Sequence, residues 1–181
     1  PGQTEMEYQM TNWYYFVWLC GDHICEQHIH NIDVANWIKG AHPVEAHGLG
    51  GREVRKFGPQ GDFGHIYDHH AVEFTYADGT KMFSQCQHVG NCWPAISEHA
   101  TGTDGSADFE GKSYVLRDRK GKRVHRFRGE SPSPYRQEHV DLIRAIRNDE
   151  KFNEGHVGAE ASLSAIMGRM ATYSGKRITW D

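Results

Sequence analysis

The amino-acid sequence predicts an α+β fold: a largely antiparallel open sheet with helices packed on one face. Two observations predict the sheet. Side chains in residues 70–76 alternate between an apolar and a mixed face, and five or six extended segments follow one another mostly through hairpin-type turns. A third observation predicts the helices, because residues 21–37 and 133–173 carry apolar side chains at helical spacing.

The first strand is predicted over residues 44–54. Gly48, Gly50 and Gly51 interrupt it and indicate a bulge or a close approach of another backbone. A loop over residues 58–64 follows, then a hairpin with an Asp-Gly turn at residues 77–80. The hairpin and the later strands are predicted over residues 70–76, 81–88, 96–103, 107–117 and 122–128, with an edge strand at 176–180.

Three helices are predicted. The first covers residues 21–37 and ends near Lys39-Gly40, where glycine suits a left-handed C-cap. The second begins at the Ser133-Pro134 pair and continues to about residue 148, and the third covers residues 156–173. The second presents Val140, Ile143 and Ile146 as its apolar stripe, and the third is expected to turn Ala159, Leu163, Ile166, Met167 and Met170 inward.

Ionisable side chains form a stripe along the first helix. At about 100° per residue, five residues fall within roughly 80° of one another. They are Asp22, Glu26, His30, Asp33 and Trp37. Apolar residues point in several other directions, so we expect the stripe to be buried. Buried carboxylates and imidazoles need partners, and such surroundings favour groups that move protons. A satisfied structural network is the alternative.

An aromatic cluster in residues 13–18 precedes this helix. Aromatic faces stack on ring-shaped ligands, so Tyr15 is a candidate for substrate contact. Core packing explains the cluster about equally well.

The net charge and the histidine content limit the classes of partner that this chain is expected to bind. A formal net charge of −4 gives no electrostatic footprint for nucleic acid, and no segment suggests a membrane surface. Thirteen histidines raise the question of a metal, but neither HExxH nor CxxC is present. A set of Glu26 and His30 with Asp22 or His69 is conceivable; our expectation is that there is no metal.

Several segments together resemble the C-terminal domain of the Gfo/Idh/MocA oxidoreductases. The resemblance rests on residues 26–37 (EQHIHNIDVANW), 48–52 (GLGGR), 134–143 (PYRQEHVDLI) and 165–170 (AIMGRM). It covers nearly the whole chain. The resemblance implies the helix-backed open sheet of that domain, which is like the C-terminal domain of glyceraldehyde-3-phosphate dehydrogenase.

In that family an Asp-x-x-x-His pair lies at the active site. Aligning the histidines places the family His on His30 and the family Asp on Glu26, and His28 stands where Gly is common. The resemblance therefore implies that His30 is a general base and that Glu26 orients it. Asp33 and Tyr15 are weaker candidates for substrate binding.

The resemblance also implies a parent protein that oxidises a sugar, a polyol or a related hydroxyl compound with NAD or NADP. Residues 1–181 are expected to be a single domain excised from that parent. The family's N-terminal Rossmann domain is absent from these residues, which contain no G-x-G-x-x-G motif, so this fragment alone should bind no cofactor.

Other functions stay open on the sequence alone. The domain could be a non-redox binding and oligomerisation module, since Glu replaces Asp, or a metal-dependent lyase or hydrolase. In either case the sheet face that carries Thr75 and Phe83 is poor in charge, and we expect it to pair with a second copy as a homo-oligomer.

Overall fold

The computed structural model describes residues 2–55, 64–111, 113–129 and 133–181. It divides into two compact units, residues 1–92 with 157–181 and residues 93–156. The predicted loop at residues 58–64 lies outside the described residues except for Gly64. Among the described residues, no helix has both the length and the apolar composition needed to cross a bilayer.

The first unit contains short helices, a four-stranded sheet and one long helix. The helices are α1 (Glu5–Thr11), a 3-10 turn (Trp13–Tyr15), α2 (Val17–Cys20), α3 (His23–Glu26), α4 (Ile29–Lys39) and α6 (Gly155–Ser174), which begins at the junction of the units. The strands are β1 (Pro43–Gly51), β2 (His69–Tyr76), β3 (Lys81–Gln87) and β8 (Ile178–Thr179). They are all antiparallel in the order β3-β2-β1-β8.

The second unit is a four-stranded antiparallel meander with one helix. Its elements are β4 (Ser97–Gly102), β5 (Gly105–Glu110), β6 (Ser113–Asp118), β7 (Arg123–Arg128) and α5 (Pro134–Arg147). The sequence predicted one strand over residues 107–117, but β5 and β6 are separate because the chain turns at Gly111, whose φ is +55°.

These observations confirm the α+β class and the antiparallel open sheet. The strand count of the single predicted sheet was wrong, because two four-stranded sheets form instead of one sheet of five or six strands. Residues 88–96, with Gly90 and Pro94, separate β3 from β4, and proline cannot donate to a ladder.

Helices cover one face of the first sheet, as predicted. The core cluster joins α3, α4 and α6 to β1 and β2 through Ile24, Ile32, Ala46, Val72, Phe74, Ala165, Met167 and Ala171. The opposite face is open, and it carries Leu49 and Phe83, which are 78% and 75% exposed.

The inward face predicted for α6 is confirmed at Met167, which is buried, but was wrong at Leu163 and Met170, which are about half exposed. The other buried positions include Ala161, Ala165 and Gly168. The physical reason is proximity, because a Cβ added to Gly168 would lie 2.7 Å from Phe74 Cζ. Small residues therefore line most of the contact beside Met167.

The predicted glycine contact in β1 is present. A Cβ at Gly48 would lie 2.5 Å from Ala71 O and 3.1 Å from Thr172 Cγ2 of α6. Gly50 is equally restricted, with His69 O at 2.8 Å. The two glycines let α6 lie directly on the sheet.

Candidate functional site

The predicted helix over residues 21–37 is two helices, so the proposed continuous stripe was wrong. The amides of both Gln27 and His28 donate to the His23 carbonyl, each at 3.0 Å, and the second is an i→i+5 bond. Such a bond shifts the helical ladder by one residue, and these interruptions are frequent at functional sites. Helix α3 therefore ends at Glu26 and α4 begins at Ile29.

The residues of the stripe in α4 are more exposed than predicted. His30 is exposed, Asp33 is half-buried, and Trp37 is 81% exposed. The expectation of a buried stripe was therefore wrong here, because the apolar positions Ile29 and Ile32 turn to the core and leave this face open. An open face leaves His30 accessible to a ligand.

Glu26 lies on the other side of the helix break and is half-buried. Its Oε2 is buried and has no hydrogen-bond partner. Burial raises the pKa of the nearby Tyr14 to about 12, and the negative charge of Glu26 adds to the shift. A carboxylate oxygen without a partner is available to a ligand or to another side chain.

Tyr15 is the last residue of the 3-10 turn, and its ring contacts His88 and Arg55. Its ring stacks on His88 at a centroid distance of 6.1 Å, and the Arg55 guanidinium lies 5.4 Å from its ring centre. The Arg55 Nη2 donates to both His88 O and His88 Nδ1, at 2.7 and 2.6 Å. Tyr15 is therefore held against a cation and an imidazole.

Gly64 fixes the backbone of Tyr15 from the opposite side. The amide of His65 donates to Tyr15 O at 2.7 Å. Gly64 has φ +80°, and a Cβ there would lie 1.9 Å from the same oxygen, so only glycine fits.

Asp22 is the fully buried polar centre of this region. Its Oδ2 accepts from the Tyr173 hydroxyl at 2.5 Å and from the amide of Tyr67 at 2.9 Å. Its Oδ1 accepts from the amide of His23 at 2.5 Å. Asp22 also has φ 79° and ψ 158°, a region that residues other than glycine rarely adopt.

Two buried imidazoles face the Asp22 carboxylate. His23 Nδ1 lies 2.8 Å and His70 Nε2 lies 3.3 Å from Asp22 Oδ1. The two rings are 4.9 Å apart, centre to centre. Neither ring nitrogen of His23 nor His70 Nε2 has a hydrogen-bond partner of acceptable geometry.

The charges of this cluster follow from its burial. Burial by itself raises the pKa of Asp22, but His23, His70 and Tyr173 outweigh it and hold the pKa well below its usual range. Burial also lowers the pKa of His70, by more than the charge of Asp22 raises it. The arrangement is thus a carboxylate beside a neutral imidazole.

Sequence reasoning placed Asp22 in the site but missed His23 and His70. A signal existed for His70, because it shares the inward face of its strand with Val72, Phe74 and Tyr76. His69, which was considered as a ligand, points to the other face and contacts Asp68 at 2.8 Å. Among the described residues, one set of three potential metal donors lies within 4.8 Å, namely Asp22, His23 and His70.

Comparison with known proteins gives matches among solved structures. No protein-family model and no curated protein sequence matches the chain significantly. Levoglucosan dehydrogenase, in complex with NADH and levoglucosan, has a TM-score of 0.75 at 12% identity over 92% of this chain and 53% of its own. UDP-N-acetylglucosamine 3-dehydrogenase from Acidithiobacillus ferrooxidans has a TM-score of 0.71 at 19% identity, covering 83% and 47%.

A third match is the aldose-aldose oxidoreductase from Caulobacter crescentus, complexed with glycerol. It has a TM-score of 0.74 at 15% identity and covers 92% of this chain and 50% of its own. The chain thus spans about half the length of the structures that it matches. These structural neighbours are named as oxidoreductases or dehydrogenases, and the chain has the fold that they show over about half of their length.

Proposed function

We propose that this chain is the substrate-side, C-terminal domain of an NAD(P)-dependent oxidoreductase that acts on a sugar, a polyol or a related hydroxyl compound. The observation that carries the proposal is the half-length match to dehydrogenases whose names include sugar substrates. Two of the matching structures are complexes with NADH, which supports a nicotinamide cofactor.

His30 is the proposed general base. It is exposed in the first turn of α4, so a substrate hydroxyl can reach it. In alcohol oxidation, a base removes the hydroxyl proton while hydride leaves the carbon that bears the hydroxyl. Histidine suits this role near neutral pH. Glu26, with its unpartnered Oε2, is proposed to orient His30 once substrate is bound.

Asp33 and Tyr15 are proposed substrate contacts. Asp33 lies one turn beyond His30 in α4 and is half-buried, so its carboxylate can accept hydrogen bonds from hydroxyl groups. Tyr15 offers an aromatic face that stacking on His88 and contact with Arg55 hold in place.

The nicotinamide would accept the hydride. No strand in this sequence is followed by a G-x-G-x-x-G turn, so these residues lack the glycine-rich turn that binds the nucleotide pyrophosphate in a Rossmann domain. The proposal therefore assigns the nucleotide to another domain of the parent protein and assigns proton transfer and substrate orientation to this chain.

The test is His30→Ala in the full-length protein. Reduction of NAD and NADP is followed by nicotinamide absorbance with a panel of hexoses, nucleotide sugars and polyols. We expect kcat to fall about 10²–10⁴-fold if His30 is the base. His125→Ala, an exposed histidine of β7, is the matched control and should leave kcat unchanged.

An unchanged kcat for His30→Ala would remove the base assignment. Absence of nicotinamide reduction with every substrate, in a folded protein, would instead favour the non-redox binding module. For Glu26→Gln we expect a smaller fall in kcat than for His30→Ala, because Glu26 acts through His30.

The open face of the first sheet is proposed to pair with a second copy of the chain. Leu49 and Phe83 are largely exposed on this face, where Leu49 pairs with Ala71 and Phe83 pairs with Glu73. Exposed apolar side chains on an open sheet face are typical of a subunit interface.

A further inference from the structure

The cluster of Asp22, His23 and His70 is buried and incompletely bonded. The three residues are 0%, 3% and 2% exposed. Three of the four imidazole nitrogens have no hydrogen-bond partner, although nearly all buried polar atoms in proteins have one. Hydrogen bonds to other protein groups therefore do not fully account for these three side chains.

The fourth imidazole nitrogen, His70 Nδ1, contacts the Thr172 hydroxyl. The two atoms lie 2.9 Å apart, and the same hydroxyl lies 3.0 Å from Arg169 O, to which it can donate. In the His70 tautomer that carries its proton on Nδ1, this nitrogen donates to Thr172 Oγ1 and Nε2 presents a lone pair. That lone pair lies 3.3 Å from Asp22 Oδ1, and in this tautomer a cation can bind between the two atoms.

We propose that a divalent transition metal ion, with Zn²⁺ the best fit, binds between Asp22 Oδ1, His70 Nε2 and a ring nitrogen of His23. Such a cation would separate the His70 Nε2 lone pair from Asp22 Oδ1 and would bind two of the three unpartnered nitrogens, His70 Nε2 and one nitrogen of His23. All three donor atoms lie within 4.8 Å of one another.

The geometry and donor set fit zinc. Bonds of about 2.0–2.1 Å in a tetrahedral site place two ligand atoms roughly 3.3 Å apart. The distance between His70 Nε2 and Asp22 Oδ1 is 3.3 Å. The distance between His23 Nδ1 and Asp22 Oδ1 is shorter, 2.8 Å, so His23 must move away from Asp22 for its Nδ1 to bind the ion. Imidazole and carboxylate suit Zn²⁺ and other late transition ions, whereas Ca²⁺ and Mg²⁺ prefer oxygen ligands. Three protein donors leave the fourth position to a water molecule or another oxygen.

The surrounding contacts resemble those of a metal site. Thr172 holds His70 by its remote nitrogen, and Tyr173 with the Tyr67 amide holds Asp22 by Oδ2. Asp22 Oδ1 accepts from the amide of His23 and has a second lone pair for the ion. Such supporting bonds orient metal ligands and raise affinity. The site would join the start of α3 to β2 and α6.

The experiment is titration of the chelator-treated full-length protein with Co²⁺ and then Zn²⁺. We expect one Co²⁺ per chain, with the visible d–d bands of a tetrahedral ion and no thiolate charge-transfer band, because the donors are nitrogen and oxygen. Zn²⁺ should displace Co²⁺ and raise Tm. His70→Gln and His23→Gln should abolish these bands, and His99→Gln, from an exposed His–Asp pair, should not.

A second variant keeps the test valid if a ligand variant fails to fold. Thr172→Val keeps the side-chain volume and removes the acceptor for His70, so it should weaken Co²⁺ affinity about 10–100-fold. Thr172→Ser should restore it. No saturable Co²⁺ or Zn²⁺ binding by the folded protein, or unchanged affinity in His70→Gln or Thr172→Val, would overturn the proposal. Nicotinamide reduction is not a readout, so the outcome is independent of the proposed function.

Discussion

His28 occupies the break between α3 and α4 and couples this break to the sheet. Its Nε2 lies 2.8 Å from Ser84 Oγ of β3. Burial lowers the pKa of His28 to about 4, and the nearby imidazoles of His23 and His70 contribute to the shift. The neutral form is therefore favoured in the folded state.

This pKa predicts a stability change in acid. Because the folded pKa lies below the unfolded value of about 6.5, the stabilisation from neutral His28 is complete above pH 6.5 and is lost as pH falls towards 4. The loss would be at most about 3 kcal/mol. Urea unfolding between pH 7 and 4 should show that His28→Gln flattens the pH dependence.

The control for this measurement is His125→Gln, since His125 is exposed on β7. It should leave the slope of stability against pH as in the unaltered protein. An equal slope in His28→Gln would show that His28 titrates normally in the folded chain.

At the scale of elements, the contact between α6 and the sheet depends on small residues. Gly168 lies against Phe74 and Ile24, and a Cβ there would meet Phe74 Cζ at 2.7 Å and Ile24 Cδ1 at 3.2 Å. Both neighbours are fully buried, so neither has free space to move into.

Gly168→Ala should therefore destabilise the protein, although alanine favours helices by about 1 kcal/mol. Overpacking typically costs about 1–3 kcal/mol, so a net loss is expected in urea unfolding. Gly158→Ala in the same helix is the matched control, because its Cβ would meet nothing within 4 Å, and it should stabilise by up to about 1 kcal/mol. Equal effects of the two substitutions would contradict the close contact.

The sequence predicted the elements that depend on local chemistry but not those that depend on tertiary contacts. The hairpin at residues 77–80 and the helix end at Gly40 follow from local chemistry, and both are present. The hydrophobic period predicted Met167 on the inward face of α6 but not the rest of that face, because Ala, Ser and Gly make most of the contact. The helix break at residues 27–28 coincides with a tertiary contact between His28 and Ser84, which is 56 residues away.

The candidate site was predictable only in part for a similar reason. Glu26 and His30 were found through a resemblance, and their roles stay predictions. The set of Asp22, His23 and His70 forms only when β2 lies against α3, a contact that sequence spacing does not encode. The position of His70 on the apolar side of β2 was the signal in the sequence that indicated this set.

At the scale of the whole molecule, self-association depends on the open sheet face. A stable pairing would bury on the order of 1,200–2,000 Å². Phe83→Lys places a charge on the exposed face of the edge strand β3 and should convert a dimer into a monomer. Light scattering of the full-length protein at micromolar concentration measures the change.

Val124→Lys is the control for added charge, because Val124 is 61% exposed on β7 of the second unit. It should leave the mass unchanged. A monomeric mass for the unaltered protein, or a dimer that survives Phe83→Lys, would contradict pairing through this face.

The two glycines of β1 under α6 also determine which random mutations the chain tolerates. At Gly48 and Gly50 the Cβ of any other residue would lie 2.5 or 2.8 Å from a backbone carbonyl oxygen. Nearly all amino-acid substitutions there should therefore be lost in a selection for folded protein. At Leu163 and Met170, which are half exposed, most changes should survive. A saturation library would thus rank Gly48 and Gly50 above Leu163 and Met170 in importance, although the latter two have the larger apolar side chains.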